Sequence, residues 1–480
     1  MAKKEEDMGI TVKKADDMPE WYTQVVEKSG MADFYAPVKG FMVIKPYGYA
    51  IWEKIQNYFN SVIKKHGVKN AYFPLLIPEK FFKKEAEHAE GFAPELAWVE
   101  KKEGEERLAI RPTSETVMYD SYSRWIRSYR DLPLKINQWC NVLRWEVKQT
   151  KLFLRSREFL WQEGHCVYET EEECQKETIT YLEEYQKLAS DLLCIPTLAG
   201  QKSEKEKFPG ALRTYTYEAL MPDGKALQMG TSHNLGQGFA KSFNIKYLGR
   251  DEKTHTPWQN SWGISTRLLG ALVMSHGDDK GLVLPPKVAP VQIVIIPILF
   301  DKTKEEVLKE CKELKNTLGV KYEVELDDRE EYTPGWKYNQ WELKGVPIRL
   351  ELGPKDLDKG QAVLVRRDTG EKTTAKLSDI QKEIQKLLEK IEMNLFSKAQ
   401  NFLKENTVEA DNWNDFVKAI KDKKLVKVPF CGEAECEDWI KDKTEGATSR
   451  LIPLDSKQPK SKCVQCGKEA KVFAYFSKSY

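Results

Sequence analysis

The sequence lacks a long hydrophobic run, and its positive and negative charges nearly balance. Its 480 residues are 41% hydrophobic and 31% charged, with a formal net charge of +2. No apolar stretch reaches the about 20 residues that a membrane-spanning helix needs. The opening MAKKEEDMGITVKKADD also lacks the apolar core of a secretory signal. We therefore expect a cytoplasmic protein of two or three domains, in which any binding of nucleic acid depends on local basic patches.

The two common glycine-rich phosphate loops are also missing. No G-x-x-x-x-G-K-[ST] segment occurs, and no G-x-G-x-x-G segment follows a strand-like run. A nucleoside triphosphate site in this chain must therefore be built from arginines, whose planar guanidinium can hold phosphate through paired hydrogen bonds. Arg267 suits this role because it begins an apolar, helix-like run within WGISTRLLGALVMSHGDDKGLVLPP (residues 262–286).

The nine cysteines do not form a disulfide framework. Five are scattered, and four lie close together near the end of the chain: Cys431, Cys436, Cys463 and Cys466. The spacing within each of these two pairs lets two thiolates meet one tetrahedral ion. Four cysteine ligands leave no open coordination position, so we predict a structural Zn²⁺ site without a catalytic role. The alternative is four unrelated thiols.

An unusually charged stretch, NVLRWEVKQTKLFLRSREFLWQEGH, covers residues 141–165. Arg144 and Glu146 precede a basic loop, and the strand-like FLWQEGH follows it. A period of two places Phe159, Trp161, Glu163 and His165 on one face of that strand. Buried Arg and Glu are costly unless a ligand or partner compensates them. We interpret the stretch as a ligand-binding surface, and the alternative is a solvated hairpin with ordinary surface ion pairs.

These segments resemble the three motifs of the class II aminoacyl-tRNA synthetases. Arg144-x-Glu146 resembles motif two (residues 141–165), GISTRLLGAL resembles motif three (within 262–281), and GYAIWEKIQNYFNSVIKKHGVKNAYFPLLIP (48–78) resembles motif one with its proline at Pro74. Three further segments are similar to the prolyl-tRNA synthetase family of the archaeal and eukaryotic type: RPTSET (111–116), REFLWQEGH (157–165) and QMGTSHNLGQGFAKSF (228–243). The resemblance runs from about residue 17 to residue 480, with the motifs in family order.

The resemblance implies an α+β fold in three parts. These are a class II antiparallel-sheet catalytic domain (residues 1–285), an α/β anticodon-binding domain (286–395) and a small C-terminal zinc-binding domain (396–480). Residue patterns add detail. The run from VQIVIIPI to VPIRLEL alternates as β-α-β-α-β, and GLVLPPKVAP (281–290) is typical of a linker.

Two helices follow from apolar spacing. In residues 48–66, Ile51, Ile55, Phe59 and Val62 recur at helical intervals, and residues 380–403 form a charged amphipathic pattern. A third helix is indicated at about residues 171–193.

The resemblance implies that the chain joins L-proline to ATP with Mg²⁺, forming prolyl-adenylate and pyrophosphate, and then transfers proline to the 3′ end of tRNA(Pro). Arg144 and Arg267 are the catalytic residues that it implies. Arg144 would bridge the amino-acid carboxylate and the α-phosphate, Glu146 would accept a hydrogen bond from adenine, and Arg155 with Arg267 would hold the outer phosphates. The other ATP contacts that it implies are Ser156, Gln228, Thr231 and Ser265, with Gln228 as a Mg²⁺ ligand.

Proline is a secondary ammonium with an apolar ring, and its binding needs hydrogen-bond acceptors beside an apolar wall. The resemblance places Thr113 and Glu115 at the ammonium group. It assigns the rest of the pocket to Arg144, Trp161, Glu163, His165 and His233. The alternatives are a Thr-x-Glu helix cap and histidines that are simply satisfied in the core.

The tRNA contacts and the assembly also come from the resemblance. WELKGVPIRLELGPKD (341–356) resembles the anticodon-reading segment, so Glu342, Arg349 and Lys355 are candidates to bind unstacked bases. Arg366 and Arg367 could bind phosphates. Motif one implies a homodimer, and the aromatic end KVFAYFSKSY suggests that Tyr480 packs near the catalytic domain.

Only about a hundred residues separate His165 from Trp262, which leaves no room for the editing domain of bacterial-type relatives. Smaller amino acids, alanine and cysteine, should then be activated as well, because a missing methylene is worth only about 1–3 kcal/mol of discrimination.

Three other functions fit part of the sequence. A synthetase-like paralogue could make the adenylate without charging tRNA, or bind RNA without catalysis, although intact Arg144, Glu146 and Arg267 argue against a dead site. A threonyl or glycyl relative would use another substrate, but the threonyl case needs a catalytic zinc held by one Cys and two His, which REFLWQEGH and TSH do not supply. A zinc-dependent RNA-binding module would leave the charged strand without a role.

Overall fold

The computed structural model describes residues 9–86 and 95–480. Residues 1–8 lie outside this range. They are part of the opening segment in which the sequence predicts no secretory signal. The helices are α1 (Met18–Lys28), α2 (Pro46–Lys65), α3 (Glu79–Ala86), α4 (Glu115–Trp125), α5 (Glu171–Asp191), α6 (Gly238–Ser242), α7 (Arg267–His276), α8 (Lys304–Gly319), α9 (Pro334–Leu343), α10 (Pro354–Leu357), α11 (Ile380–Glu405), α12 (Trp413–Lys421) and α13 (Ala434–Lys443). Among the described helices, none combines the length and the apolarity needed to cross a membrane.

The strands form one large sheet and several smaller ones. They are β1 (Ala32–Phe34), β2 (Met42–Ile44), β3 (Lys69–Asn70), β4 (Leu76–Pro78), β5 (Leu108–Ile110), β6 (Leu134–Leu143), β7 (Glu158–Tyr168), β8 (Leu198–Gln201), β9 (Arg213–Leu220), β10 (Ala226–Gly236), β11 (Tyr247–Leu248), β12 (Thr254–His255), β13 (Trp258–Ser265), β14 (Ile293–Pro297), β15 (Val324–Leu326), β16 (Ile348–Leu352), β17 (Gln361–Arg366), β18 (Lys372–Lys376), β19 (Thr407–Glu409), β20 (Leu425–Phe430), β21 (Thr448–Pro453) and β22 (Val472–Ser477).

The large sheet has 11 strands in the order β19-β20-β22-β21-β8-β9-β10-β13-β7-β6-β3. Its centre, from β8 to β6, is antiparallel, as the α+β fold class predicts. The sheet continues into the C-terminal region because β21 pairs with β8. Gly200 permits this close approach, since a Cβ there would lie 2.3 Å from the carbonyl oxygen of Ile452. The sequence did not indicate that the two regions share one sheet.

Helices α2 and α5 cover one face of this sheet and close the main core. Helix α5 begins after Thr170, whose hydroxyl accepts from the backbone of Glu173 as an N-cap. Its Tyr181 stacks on Trp262 with ring centroids 4.0 Å apart. The helix predicted at residues 48–66 is confirmed. Ile51, Ile55 and Phe59 are buried as predicted, but Trp52 and Ile63 are also buried and Val62 is not.

The predicted β-α-β-α-β unit is confirmed as β14, α8, β15, α9 and β16. These three strands are parallel, and β17 and β18 add an antiparallel hairpin to give the order β15-β14-β16-β17-β18. Helix α11 then leads to the C-terminal region. The boundary expected between residues 395 and 396 falls inside α11, so the chain leaves this unit along one continuous helix.

The expectation that residues 281–290 form a linker needs correction. Leu282, Leu284 and Val288 are buried. The backbone N–H of Leu282 donates to the carbonyl of Leu343 at 3.0 Å, and that of Leu284 donates to the carbonyl of Gly345 at 3.2 Å. The segment is therefore not a free linker. It packs into the main core and bonds to the α/β unit. Its prolines lack the N–H that a further ladder bond would need.

Candidate active site

A cavity of about 390 Å³ opens beside strands β7, β10 and β13. Twelve of the residues that the sequence predicts for ATP and proline line it together: Thr113, Glu115, Arg144, Glu146, Trp161, Glu163, His165, Gln228, Thr231, His233, Ser265 and Arg267. Arg155 and Ser156 line an adjoining cavity of about 290 Å³, which shares Arg144, Glu146, Ser265 and Arg267 with the first. The two cavities therefore form one continuous site.

Strand β7 presents its charged and aromatic face to this site. Phe159, Trp161, Glu163 and His165 all line the cavity, as the period of two predicts. On the opposite face, Gln162 accepts a hydrogen bond from the hydroxyl of Tyr185 at 2.7 Å. The solvated-hairpin alternative is wrong, because Glu163 and His165 are almost fully buried.

Glu163 lies at the centre of a buried hydrogen-bond network. Its carboxylate accepts from the hydroxyl of Ser114 at 2.5 Å and from the amide of Gln138 at 3.1 Å, and it lies 3.1 Å from Nε2 of His165. Burial raises the pKa of Glu163, but these partners outweigh burial and hold the pKa below its ordinary value. For His165, burial lowers the pKa, and the bond to Glu163 with the nearby charge of Glu115 raises it above its ordinary value. Each side chain therefore favours the charged form of the other.

Thr113 and Glu115 are not a capping box. Helix α4 begins at Glu115, and its N-cap residue Ser114 makes no side-chain cap bond. Instead, the hydroxyl of Thr113 donates to the carboxylate of Glu115, and both side chains are buried. The ligand atoms of Glu115, Glu163 and His165 all lie within 4.8 Å of one another. The hydroxyl of Thr113 and the carboxylates of Glu115 and Glu163, which we call the acceptor group, line the cavity together with the indole of Trp161. They suit a small organic cation with an apolar ring.

Arginine cations face these carboxylates across the site. The guanidinium of Arg144 lies 5.4 Å from the ring centroid of Phe159 and 5.6 Å from that of Trp161. Arg267 begins α7 and donates to the carbonyls of Leu154 at 3.2 Å and Gln228 at 3.0 Å. Burial and the charge of Arg144 lower the pKa of Arg267 to about 10. Crowded, partly buried cations of this kind fit a polyanionic ligand, which relieves their repulsion.

His233 differs from His165 in the direction of its pKa shift. Burial, together with the positive charge of His165, lowers the pKa of His233 to about 3, so this imidazole is neutral. Its Nδ1 lies 3.0 Å from the hydroxyl of Thr214, and its ring centroid lies 4.9 Å from that of Phe208. The apolar end of the cavity is thus closed by a neutral ring.

The four late cysteines come together as predicted. The Sγ atoms of Cys431, Cys436, Cys463 and Cys466 all lie within 4.8 Å of one another. Cys431 follows β20 and Cys436 lies in α13, whereas Cys463 and Cys466 lie before β22. Four clustered thiols are the donor set that tetrahedral Zn²⁺ prefers, so these residues fit a structural zinc ion. The alternative of four unrelated thiols is wrong, because the four Sγ atoms lie close together.

Comparison with known proteins matches each part of this architecture. Residues 98–276 match the class II tRNA synthetase core domain (G, H, P, S and T), residues 292–387 the anticodon binding domain, and residues 413–480 the prolyl-tRNA synthetase C-terminal domain. The proline-tRNA ligase of Alkaliphilus oremlandii is 53% identical over 97% of this chain and 96% of its own length. Proline-tRNA ligase 2 of Clostridioides difficile is 52% identical over 100% of both chains.

The chain belongs to the prolyl-tRNA synthetases. A third relative, the proline-tRNA ligase of Natranaerobius thermophilus, is 52% identical over 95% of this chain and 94% of its own. All three relatives come from bacteria, whereas the motifs resemble the archaeal and eukaryotic type.

The residues proposed to read the anticodon are only partly brought together. Arg349 is paired with Glu342 at 3.2 Å and with Glu351 at 2.9 Å. Its guanidinium also lies 4.1 Å from the ring centroid of Tyr338. Lys355 is exposed in α10 and does not line the small cavity that contains Glu342 and Arg349.

Arg366 and Arg367 are each paired with a carboxylate, so neither guanidinium is free to bind a phosphate. Arg366 binds Asp368 through two nitrogens at 2.7 and 3.0 Å. Arg367 binds Asp278 at 2.6 and 2.7 Å. Both side chains are buried. In this prolyl-tRNA synthetase, the pair of Arg367 and Asp278 joins the α/β unit to the segment that follows α7.

Tyr480 packs against the catalytic core, as its aromatic surroundings in the sequence suggest. It lines the smaller part of the site together with Arg144 and Arg267. The ammonium groups of Lys151 and Lys225 lie 5.8 and 5.1 Å from its ring centroid. The last residue of the chain is therefore part of the wall around the site.

One wall of the cavity was missed from the sequence. Residues Lys202, Glu206, Lys207, Phe208 and Pro209 line it. Their segment, KSEKEKFP, is rich in charge and reads as a solvated loop. The only local signal for a buried role is Phe208, because aromatic residues within charged loops often pack against a neighbouring element.

Proposed function

We propose that this chain is a proline-tRNA ligase, which activates L-proline with ATP and transfers it to the 3′ end of tRNA(Pro). One observation carries the proposal: a single continuous site contains both a buried acceptor group beside Trp161 and the arginines Arg144 and Arg267. The acceptor group suits an amino acid with a secondary ammonium, and the two arginines suit a triphosphate.

In the proline site, Thr113, Glu115 and Glu163 accept from the ammonium group, and Trp161 with His233 forms the apolar wall. His165 is buried, and its contact with Glu163 lowers the pKa of that carboxyl and positions it. The neutral state of His233 keeps a second positive charge away from the ammonium. Together these features favour a cation with a small ring.

Activation brings two anions together, the carboxylate of the amino acid and the α-phosphate. No enzyme nucleophile is needed, so catalysis comes from positioning and from stabilisation of charge on the phosphorus. We assign Arg144 to the bridge between carboxylate and α-phosphate, because it lines both the cavity that contains the acceptor group and the adjoining cavity that contains Arg155. Glu146 binds adenine, and Arg155 with Arg267 binds the outer phosphates. The remaining ATP contacts are Ser156, Gln228, Thr231 and Ser265.

Two ions take part in different ways. Mg²⁺ enters with ATP and neutralises phosphate charge, and we assign Gln228 as its protein ligand. Zn²⁺ at Cys431, Cys436, Cys463 and Cys466 is structural.

We further propose that Glu342, Arg349 and Lys355 contact the anticodon of tRNA(Pro), and that the enzyme works in the cytoplasm. The domains are residues 1–285 for catalysis, 286–395 for anticodon binding and 396–480 for the zinc site.

We expect activation of alanine and cysteine in addition to proline. Residues between β7 and β13 fold into α5, strands β8 to β10 of the catalytic sheet, the short α6 and the two-stranded sheet of β11 and β12. We therefore infer that no editing module is inserted there. A pocket sized for proline admits smaller side chains, and each missing methylene weakens binding by only about 1–3 kcal/mol. Amino-acid-dependent exchange of pyrophosphate into ATP measures this, with glycine and leucine as comparisons.

The same preparation is then incubated with alanyl-tRNA. We expect no deacylation above the rate without enzyme. Rapid hydrolysis, or the absence of exchange with both alanine and cysteine, would show that the pocket or the editing inference is wrong.

We also expect a homodimer built around the motif-one segment, residues 48–78. Tyr72 is 71% exposed and Leu76 is 38% exposed, and the adjacent strand β3 lies at the edge of the large sheet. An exposed sheet edge beside apolar side chains is suited to pairing with a second copy. Sedimentation velocity at micromolar concentration should give a dimer, and Tyr72→Asp should weaken it. A monomeric wild-type chain would contradict the proposal.

A further inference from the structure

Three charged side chains are buried together where the C-terminal region meets the catalytic sheet. Glu218 lies on β9, Lys202 follows β8, and Arg450 lies on β21. Each of the three side chains is at most 7% exposed. We call these residues the interdomain triad. The interdomain triad has no part in the proposed reaction, although Lys202 lines the active-site cavity.

The contacts within the interdomain triad are short and numerous. The ammonium of Lys202 donates to Glu218 at 2.5 Å and to the backbone carbonyl of Arg450 at 2.7 Å. The guanidinium of Arg450 donates to both carboxylate oxygens of Glu218, at 2.7 and 3.1 Å. Glu218 is thus the shared acceptor of two cations from different parts of the chain. Breaking one such contact matters because the interior screens charge poorly.

The triad anchors residues 202–209 at their first residue. This segment supplies Lys202, Glu206, Lys207, Phe208 and Pro209 to the cavity wall. The C-terminal region also contacts it on the outside through an ion pair between Lys205 and Asp438. At its other end, Phe208 lies 4.9 Å from His233, centroid to centroid, in the proposed proline site.

We propose that Arg450, Glu218 and Lys202 act as positioning residues, through which the docked C-terminal domain holds residues 202–209 as a wall of the proline pocket. None of the three needs to touch substrate. The proposal deepens the proposed function and rests on it for its kinetic consequences. It gives the zinc-binding region a role in amino-acid binding, in addition to its contribution to the fold.

The role predicts an unequal effect on the two substrates. A loosened segment moves Phe208 relative to His233, which weakens the binding of proline. ATP is held by Arg144, Arg155 and Arg267, and Arg267 keeps its bonds to the carbonyls of Leu154 and Gln228. The charge of Arg450 lowers the pKa of Arg267 less than burial, Arg144 and Arg155 do, so its loss should change ATP binding less than proline binding. A purely structural role would instead lower the fraction of active enzyme, which reduces kcat and leaves both KM values unchanged.

The test uses Arg450→Leu in the full-length, zinc-loaded protein. This variant leaves Glu218 paired with Lys202, so no buried carboxylate loses its last cation. The matched control is Lys427→Leu, which breaks an exposed ion pair with Glu409 in the same region. Hydrogen exchange of peptides that cover residues 202–209 is followed by mass spectrometry, and KM for proline and for ATP is measured by pyrophosphate exchange.

We expect faster hydrogen exchange in residues 202–209 of Arg450→Leu, a rise of about tenfold in KM for proline and less than about a twofold change in KM for ATP. Lys427→Leu should match wild type. Arg450→Lys keeps the charge but cannot bind both carboxylate oxygens in the same way, so its KM for proline should lie between those of wild type and Arg450→Leu.

Unchanged hydrogen exchange with unchanged KM for proline would overturn the proposal, as would parallel changes in both KM values or a fall in kcat alone. If Arg450→Leu does not fold, Arg450→Lys decides the matter by the same comparison. Hydrogen exchange does not depend on catalysis. A wild type without proline-dependent activity would therefore refute the proposed function, while hydrogen exchange would still show whether the triad holds the segment.

Discussion

Replacing Arg267 with alanine should lower proline-dependent pyrophosphate exchange by about 10²–10³-fold, because a fixed cation at the developing phosphate charge is worth this much in the transition state. The side chain is held by two backbone carbonyls at the start of α7 and faces the site shared with Arg144. Arg144→Ala should have an effect of similar size. Steady-state exchange at saturating proline and ATP measures both losses.

Neither variant should unfold the protein. Burial and neighbouring cations lower the pKa of Arg267, so removing its charge relieves repulsion in the unliganded state. Circular dichroism and thermal unfolding provide this control, and Arg250→Ala, whose side chain is 71% exposed, is the matched arginine variant expected to retain wild-type exchange. A near wild-type rate in Arg144→Ala or Arg267→Ala would refute the assignment of the ATP site.

Replacing Cys463 with serine should remove the bound zinc and unfold the C-terminal region. Structural Zn²⁺ contributes about 10–16 kcal/mol of apparent binding free energy in small zinc domains at neutral pH. In this chain the four thiols belong to the same buried cluster as Phe416, Val428 and Phe430. Loss of the ion should therefore disrupt the core of β20 to β22. Elemental analysis gives the zinc content per chain, and thermal unfolding gives the stability.

Cys311→Ser provides the comparison for this experiment, because Cys311 is buried in a different core. It should cost stability through the core alone and retain about one zinc ion per chain. Retention of zinc by Cys463→Ser, or a wild-type protein without metal after growth in zinc-supplemented medium, would show that the cluster is not a zinc site.

Local patterns in the sequence predicted much of this molecule. The period of two in FLWQEGH identified the face of β7 that carries Glu163 and His165, because a strand alternates its side chains regardless of what pairs with it. The order of β14, α8, β15, α9 and β16 was visible because each strand and each helix has its own local apolar pattern. The cysteine spacing likewise indicated a shared ion, since each pair needs only a local turn to meet it.

Features that depend on distant partners were not visible. The pairing of β21 with β8 joins residues about 250 positions apart, and no local pattern encodes it. Residues 281–290 looked like a linker because of their prolines, yet they are buried against the α/β unit. Arg367 looked available for phosphate, but the fold pairs it with Asp278, 89 positions earlier in the chain.

The most direct test is the transfer of radiolabelled proline to tRNA by the purified wild-type chain with ATP and Mg²⁺. Acid precipitation of the tRNA measures the product, and a parallel reaction follows prolyl-adenylate. We predict charging of tRNA(Pro) to near stoichiometry, with no charging of tRNA whose 3′ end has been oxidised by periodate. Formation of prolyl-adenylate without any charged tRNA(Pro) would contradict the proposed function and favour a paralogue that makes the adenylate for another acceptor.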